Sequence, residues 1–446
     1  MGCVFTVNQD ASGIDIGECF LHITKDDTVK VSDYVADFIA KQGIKHVFSV
    51  AGGGSMHLVD SIGNHKDLTY VACHHEQAAA MAAEAYARLN GIGCCMVTTG
   101  PGGTNALTGV ACAWVDSIPL LVISGQVTRD TLLAGTGVRQ FGVQESDIVS
   151  LVKPITKFAV TVMDEDEIVN TLAQAVKIAK QGRPGPVWID IPLDIQSKRF
   201  TPRSPTVWAI EPNGVDDRQL EQCVTLLRRA KRPVLIVGNG VRLAGAVAEL
   251  RRLIDSLGIP VVSSWTGGDM VAGHPLHIGH AGIFGDRTSN FAVQNADLLL
   301  ILGSRMSVPQ VGYNFKTFAR EAKIIMVDVD RREIEKPSLH VDLPIVCDVK
   351  WFIEEMLVSH PQDVKIDGLS DEIETETLAK AKAARMQVLE KMIEVMPAAR
   401  SAVSAYAPKI KTVKIDPEKI GEVIGSGGKT IRNISATTGA TVDVAE

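Results

Sequence analysis

Short apolar runs recur along the first 350 or so residues, and each is followed by a stretch in which apolar positions return every three or four places. Val47-Phe48-Ser49-Val50, Leu68 to Ala72, Cys94 to Val97, Pro119 to Ser124 and Pro186 to Ile191 read as strands. Residues 30 to 42, the segment after Glu76 and Glu165 to Ala179 read as helices. Strands with so little polar alternation are buried on both faces, so the alternation predicts a mostly parallel sheet covered by helices over 28–195. Pro202, Pro205 and Pro212 mark 196–216 as a linker. A second, Rossmann-like α/β domain is expected over 217–357, with strands at Arg232 to Gly238, Leu298 to Leu302 and Ile324 to Val329 and a helix at Ala244 to Leu257. The pattern then changes. A charged helix is expected over 372–396, followed over 409–446 by an α+β module: strand Lys411 to Ile415, helix Glu418 to Ile424, a glycine loop, a helix from Thr430 and a strand Ala440 to Ala445. Residues 1–27 read as an irregular extension, although Met1 to Thr6 formally fits a myristoylation pattern.

Composition narrows the class. With 446 residues, 46% hydrophobic and 22% charged, the chain is globular and long enough for two or three cored domains. A net charge of −7 excludes a broadly basic nucleic-acid binder and leaves room only for a local site. Eight cysteines without a CxxC pair read as reduced thiols of a cytoplasmic protein. No apolar run has membrane-spanning length, so no membrane partner is expected. His274, His277 and His280 are spaced like metal ligands, but the surrounding prolines and glycines predict a loop with ordinary polar histidines.

Two stretches carry chemistry. In the first, Glu76 opens an alanine-rich helix, a short strand follows, and the turn Gly100-Pro101-Gly102-Gly103-Thr104-Asn105 closes it. A carboxylate is favoured among the free amides of a helix start, and glycines admit backbone approaches that a Cβ would block. The second is Ile424-Gly425-Ser426-Gly427-Gly428-Lys429-Thr430-Ile431. A phosphate-loop reading fails there, because Val423 stands where that motif needs its first glycine.

Residues 28–357 resemble the thiamine-diphosphate enzymes of the acetolactate synthase type. The resemblance rests on His75-Glu76-Gln77 with the EAYAR segment after it, the turn Gly100 to Asn105, Trp114 to Pro119, and Gly182-Arg183-Pro184-Gly185-Pro186. It implies that the first domain holds the cofactor's aminopyrimidine, with Glu76 on its ring nitrogen and Gln144 facing cofactor or substrate. Gly52, Gly53, Gly100, Gly102 and Asn105 would line the cofactor cleft, and Phe141 would form a substrate-side wall. It implies decarboxylation of a 2-oxo acid with transfer of the carbonyl fragment, and a homodimer or homotetramer formed through the first domain. FAD in the central domain, at Gly238-Asn239-Gly240, Gly303-Ser304-Arg305 and Asp328-Val329-Asp330, is less expected than the thiamine cofactor. The family's Gly-Asp-Gly, which binds magnesium and diphosphate in a third domain, occurs nowhere in the 446 residues, so the chain alone is expected to be inactive.

Residues 372–446 resemble the linker and KH domain of bacterial polynucleotide phosphorylase, through Tyr406 to Ile410 and above all Ile415 to Ile431. That implies single-stranded RNA against Ile424, Gly425, Ser426, Gly427, Gly428 and Lys429. Residues 411–446 hold five basic and five acidic side chains, so electrostatic affinity is expected to be small, and the module is expected to be partial. Two alternatives stand beside the enzyme: an RNA-binding or scaffolding fusion that uses the KH module, and a gene-fusion artefact.

Overall fold

The computed structural model describes residues 28–133, 135–206, 214, 216–359, 371–398, 400, 404, 407 and 411–444; the extension over 1–27 lies outside them. The chain divides into two compact units, Met1–Asp367 and Gly368–Glu446.

In the first domain six parallel strands, β1 (His46–Ser49), β2 (Thr69–Ala72), β3 (Gly93–Val97), β4 (Leu120–Gln126), β5 (Phe158–Thr161) and β6 (Pro186–Pro192), pair in the order β2-β1-β3-β4-β6-β5. Helices α1 (Val31–Lys41), α2 (Met56–Asn64), α3 (Glu76–Asn90), α4 (Pro101–Asp116), α5 (Ile148–Val152) and α6 (Ile168–Lys180) cover both faces. The strand period of two divides the core. Cys94 and Met96 join Val35, Ile39, Leu58 and Leu172 of α1, α2 and α6, while Cys95 and Val97 join Ala80, Ala83, Val110 and Ile148 of α3, α4 and α5. The alanines of α3 explain its close seat: a Cβ on Gly93 would fall 2.0 Å from Ala83 O, and one on Gly109 of α4 2.5 Å from Ala80 Cβ. Residues 196–200 also belong to this domain rather than to a linker. Arg199–Phe200 pairs antiparallel with Val29–Lys30, and Gln196 donates to Gly54 O at 2.7 Å.

The central domain repeats the architecture with β7 (Pro233–Val237), β8 (Val261–Ser263), β9 (His277–His280), β10 (Leu298–Leu302), β11 (Lys323–Asp328) and β12 (Leu343–Val346), in the order β9-β8-β7-β10-β11-β12. Helices α7 (Asp217–Arg229), α8 (Val247–Leu257), α9 (Arg287–Asn295) and α10 (Val349–Val358) flank it. The histidine stretch expected as a loop therefore forms an edge strand. His277 Nε2 and His280 Nδ1 both meet Ser263 Oγ on β8, at 2.9 and 2.8 Å, and this shared hydroxyl offsets the poor strand propensity of His-Ile-Gly-His.

The two domains are fastened by Arg183. Its Nε donates to Ser117 Oγ at 2.9 Å and its Nη1 reaches Glu333 at 2.5 Å and Asp330 at 3.3 Å, while Arg305 Nη1 donates to Val115 O at 2.8 Å. The Trp114-to-Pro119 and Gly182-to-Pro186 motifs thus lie at a domain junction.

In the second unit, α11 (Asp371–Val395) is the expected charged helix. Helices α12 (Ile420–Ile424) and α13 (Lys429–Thr438) flank a short 3-10 turn, Ser426–Gly428. The expected strands at 411–415 and 440–445 do not pair among the described residues. Two short strands by themselves bury too little to hold a ladder.

Candidate active site at the switch point of the first sheet

From β1 the chain moves to β2 on one side and returns to β3 on the other, so a crevice opens between the carboxyl ends of β1 and β3. In open α/β sheets ligands bind at such a switch point. Three loops enter it: the one after β1 with Gly52 to Gly54, the one after β2 leading to Glu76, and the one after β3 with Thr98 to Asn105.

Glu76 is the first residue of α3, and His75 Nδ1 caps that helix by accepting from Gln77 N at 3.1 Å. The Glu76 residue is only 8% exposed, and Asn105 of α4 donates from Nδ2 to Oε2 at 2.9 Å. The other oxygen, Oε1, faces Gly102, where an added Cβ would lie 3.5 Å from it and 2.7 Å from Thr98 Cγ2. A Cβ on Gly52 would come within 2.5 Å of the same Thr98 side chain. Thr98 therefore packs between two glycines from different loops, and their missing side chains give it room beside the carboxylate. Gly53, by contrast, is exposed and a Cβ there would meet nothing within 4 Å.

Gly100 has φ +59, and its Cβ would fall 1.8 Å from Gln144 O. Only glycine satisfies both the left-handed backbone and that approach. It thereby seats the segment after Phe141 on the cleft rim, with Gln144 itself at φ 57. Between Gly100, Pro101 and Thr104 on one side and Gln140, Gln144 and Ser146 on the other lies an open hollow of about 360 Å³. Glu145 holds the segment from beneath, its carboxylate accepting from Gly142 N at 3.2 Å and from Leu133 N. Phe141 is exposed.

The structure brings Glu76, Gly52, Gly102 and Asn105 to one place, with Gly100 and Gln144 paired on its rim. Sequence reasoning missed Thr98, Gln126 and Asp190. Asp190 is fully buried on β6, and its carboxylate accepts from Ser124 Oγ at 2.5 Å, Gln126 Nε2 at 3.1 Å and Thr161 Oγ1 at 3.1 Å. Burial pushes its pKa up from 3.8 to about 7, against the pull of those three donors. An aspartate inside the apolar run Pro186 to Pro192 was the available signal, since a buried carboxylate needs partners.

The second sheet has its own switch point, between β7 and β10. There Gly238 and Gly240 pack directly on Gly303: their Cβ atoms would fall 2.2 Å from Gly303 O and 2.7 Å from Gly303 Cα, and Gly240 N already donates to Gly303 O at 2.9 Å. These glycines close a loop-to-loop contact, and the amide a phosphate would need is taken.

In the second unit Gly425, Gly427 and Gly428 have φ of +70, +59 and +77, so the loop between α12 and α13 is one that only glycines enter freely. Arg432, which sequence reasoning passed over, donates to Gly427 O at 2.6 Å and fixes the loop from α13. Ile424 and Lys429 stand at its two ends.

A parallel α/β sheet with a buried glutamate and a glycine-lined crevice at its switch point, followed by a second Rossmann-like sheet, defines a cofactor-binding enzyme scaffold. Residues 29–151 match the thiamine pyrophosphate enzyme N-terminal TPP binding domain and residues 220–356 match that family's central domain. The first two domains of this chain belong to the thiamine pyrophosphate enzymes. Residues 410–446 match the KH domain. The probable acetolactate synthase large subunit of Methanococcus aeolicus is 38% identical over 323 residues, which are 70% of this chain and 52% of that protein. The acetolactate synthase large subunit of Lactococcus lactis is 34% identical over 358 residues, 79% of this chain and 60% of that protein. Chloroplastic acetolactate synthase 1 of Nicotiana tabacum is 35% identical over 376 residues, 82% of this chain and 55% of that protein. The chain thus spans between 52% and 60% of the length of these relatives.

Proposed function

We propose that this chain supplies the aminopyrimidine-holding half of a thiamine-diphosphate site that decarboxylates a 2-oxo acid and passes on its carbonyl fragment, as in acetolactate synthases. The observation that carries the reading is the Glu76 carboxylate, buried, tied by Asn105 at one oxygen, and turned at the other toward Gly102. When bound, thiamine diphosphate supplies a nucleophilic thiazolium carbon and an electron sink next to the substrate carbonyl. Glu76 would share a proton with a pyrimidine ring nitrogen at Oε1, the oxygen Asn105 does not engage, and so favour the tautomer whose exocyclic nitrogen acts as base. The Gly100 turn and the Gln144 segment wall the rim.

No Gly-Asp-Gly stands in these 446 residues, so magnesium and the diphosphate are assigned to a half of the site contributed from outside them. A homodimer through the first domain agrees with the exposed Met81 and Leu89 on α3. The six cysteines among the described residues carry no disulfide. No described helix is long and apolar enough to cross a membrane. Gly240 N is engaged by Gly303 O and offers no free amide to a flavin's phosphates, and no step is assigned to FAD. The test is titration of the full chain with thiamine and with thiamine diphosphate beside Glu76→Gln; loss of saturable binding in the variant supports the reading, and equal binding refutes it.

A second reading belongs to the second unit. The Gly425–Gly428 loop, fixed by Arg432 and flanked by Ile424 and Lys429, supports contact with a single-stranded RNA backbone. Fluorescence anisotropy with a short single-stranded RNA at two salt concentrations checks it. Weak binding lost in Arg432→Ala is expected, and binding indifferent to the variant opposes it.

A further inference from the structure

Gln126, the last residue of β4, uses every group of its side chain. Its Nε2 donates to Asp190 Oδ2 at 3.1 Å and to Ser146 O at 3.2 Å, and its Oε1 accepts from Val127 N at 3.0 Å. Ser146 lies two residues beyond Gln144. Val127 supports the same segment from the other end, since a Cβ on Gly142 would fall 2.7 Å from its side chain. The hydrogen-bond directions around Asp190 are set by its neighbours. Trp188 Nε1 can only donate, and gives its proton to Ser124 Oγ at 2.7 Å, which leaves Ser124 to donate its own to Asp190 Oδ1. The Gln126 amide nitrogen likewise can only donate, and Thr161 Oγ1 completes three donors from β4 and β5. The charged group that acts on Asp190 is Asp147, at the start of α5.

We propose that Asp190 is a positioning residue for the cleft rim: its carboxylate orients the Gln126 amide, which grips Ser146 O and thereby holds Gln144 O against Gly100. Its bearing on the cofactor rests on the reading of Gln144 given above; the latch itself does not.

The latch is linked to the Asp190 proton. Opening the segment loosens the Gln126 donor and also carries Asp147 and part of the cover away from the carboxylate, so the seated and open forms hold that proton with different strength. Seating of the segment therefore changes as pH passes through about 7, where Asp190 releases its proton. A purely structural buried aspartate would not couple that titration to one loop.

The test is amide hydrogen exchange of the full chain between pH 6 and pH 8.5, read at Glu145 and Ile148, whose amides bond within the segment, as protection factors corrected for intrinsic exchange. The protection of the native chain should change across that range. Asp190→Asn should abolish the change. Gln126→Ala, which severs the link and leaves the carboxylate in place with its Ser124 and Thr161 donors, should lose protection by about tenfold at pH 8.5, the worth of one such hydrogen bond. Protection that is flat with pH in the native chain, or equal to native in folded Gln126→Ala, overturns the proposal. If the segment loosens in Gln126→Ala while thiamine binding is unchanged, the latch stands and the cofactor reading of Gln144 falls.

Discussion

At the scale of residues, the site is an arrangement of absent side chains around one carboxylate. Gly102→Ala places a methyl on Thr98 Cγ2 and beside Glu76 Oε1, so it should weaken thiamine binding at least tenfold while the fold persists; Gly53→Ala, which meets open space, should leave both binding and stability unchanged. Titration beside thermal melting separates the two. Asp190 supplies a pH prediction for stability. Its folded pKa is raised above the unfolded value, so the native chain keeps a proton that the unfolded chain releases. That contribution is complete below about pH 4 and lost as pH rises through about 7, amounting to about 4 kcal/mol over the window. Denaturant unfolding from pH 4 to pH 8 should show this decline in the native chain and not in Asp190→Asn. The sequence made Glu76, Gly100, Gly102 and Asn105 legible because a carboxylate and a glycine turn around one short strand form a local pattern. It hid Thr98, Gln126 and Asp190, whose roles come from partners distant in sequence, up to 66 residues away for Ser124 and Asp190.

At the scale of elements, the long apolar strands and amphipathic helices were readable, because burial on both faces leaves an unbroken apolar run. The strands that were missed, β5, β8, β9 and β12, are short or lie at a sheet edge, with residues such as His277 and Pro344 whose strand state depends on a neighbour. The expected strands around the KH loop show the reverse: suitable composition finds no ladder partner among the described residues. The contact of α3 with α4 is the element on which the cleft depends, since Glu76 and Asn105 sit on opposite sides of it. Gly109→Leu, pressed on Ala80, should part these helices and cost about 1–3 kcal/mol, and it should also weaken thiamine binding through the Glu76–Asn105 bond. Chemical denaturation and titration of one preparation read both effects.

At the scale of the whole molecule, two α/β domains are held together by Arg183 between Ser117 and the acidic pair Asp330 and Glu333. Arg183→Ala removes the side chain that ties Ser117 to Asp330 and Glu333, which keep only Arg332 and Lys336 of their own domain as cations, so the two domains should melt in separate steps in scanning calorimetry where the native chain melts in one. The KH segment belongs to the other compact unit and should melt independently of that change. The central claim concerns the first domain: Glu76 holds the pyrimidine, while the diphosphate anchor lies outside these residues. Its most direct test is calorimetric titration of the full chain with thiamine diphosphate, with and without magnesium, beside thiamine and beside Glu76→Gln. The account predicts weak, saturable binding that is alike for thiamine and its diphosphate, indifferent to magnesium and lost in the variant. Binding that requires magnesium, or that survives Glu76→Gln, would contradict it.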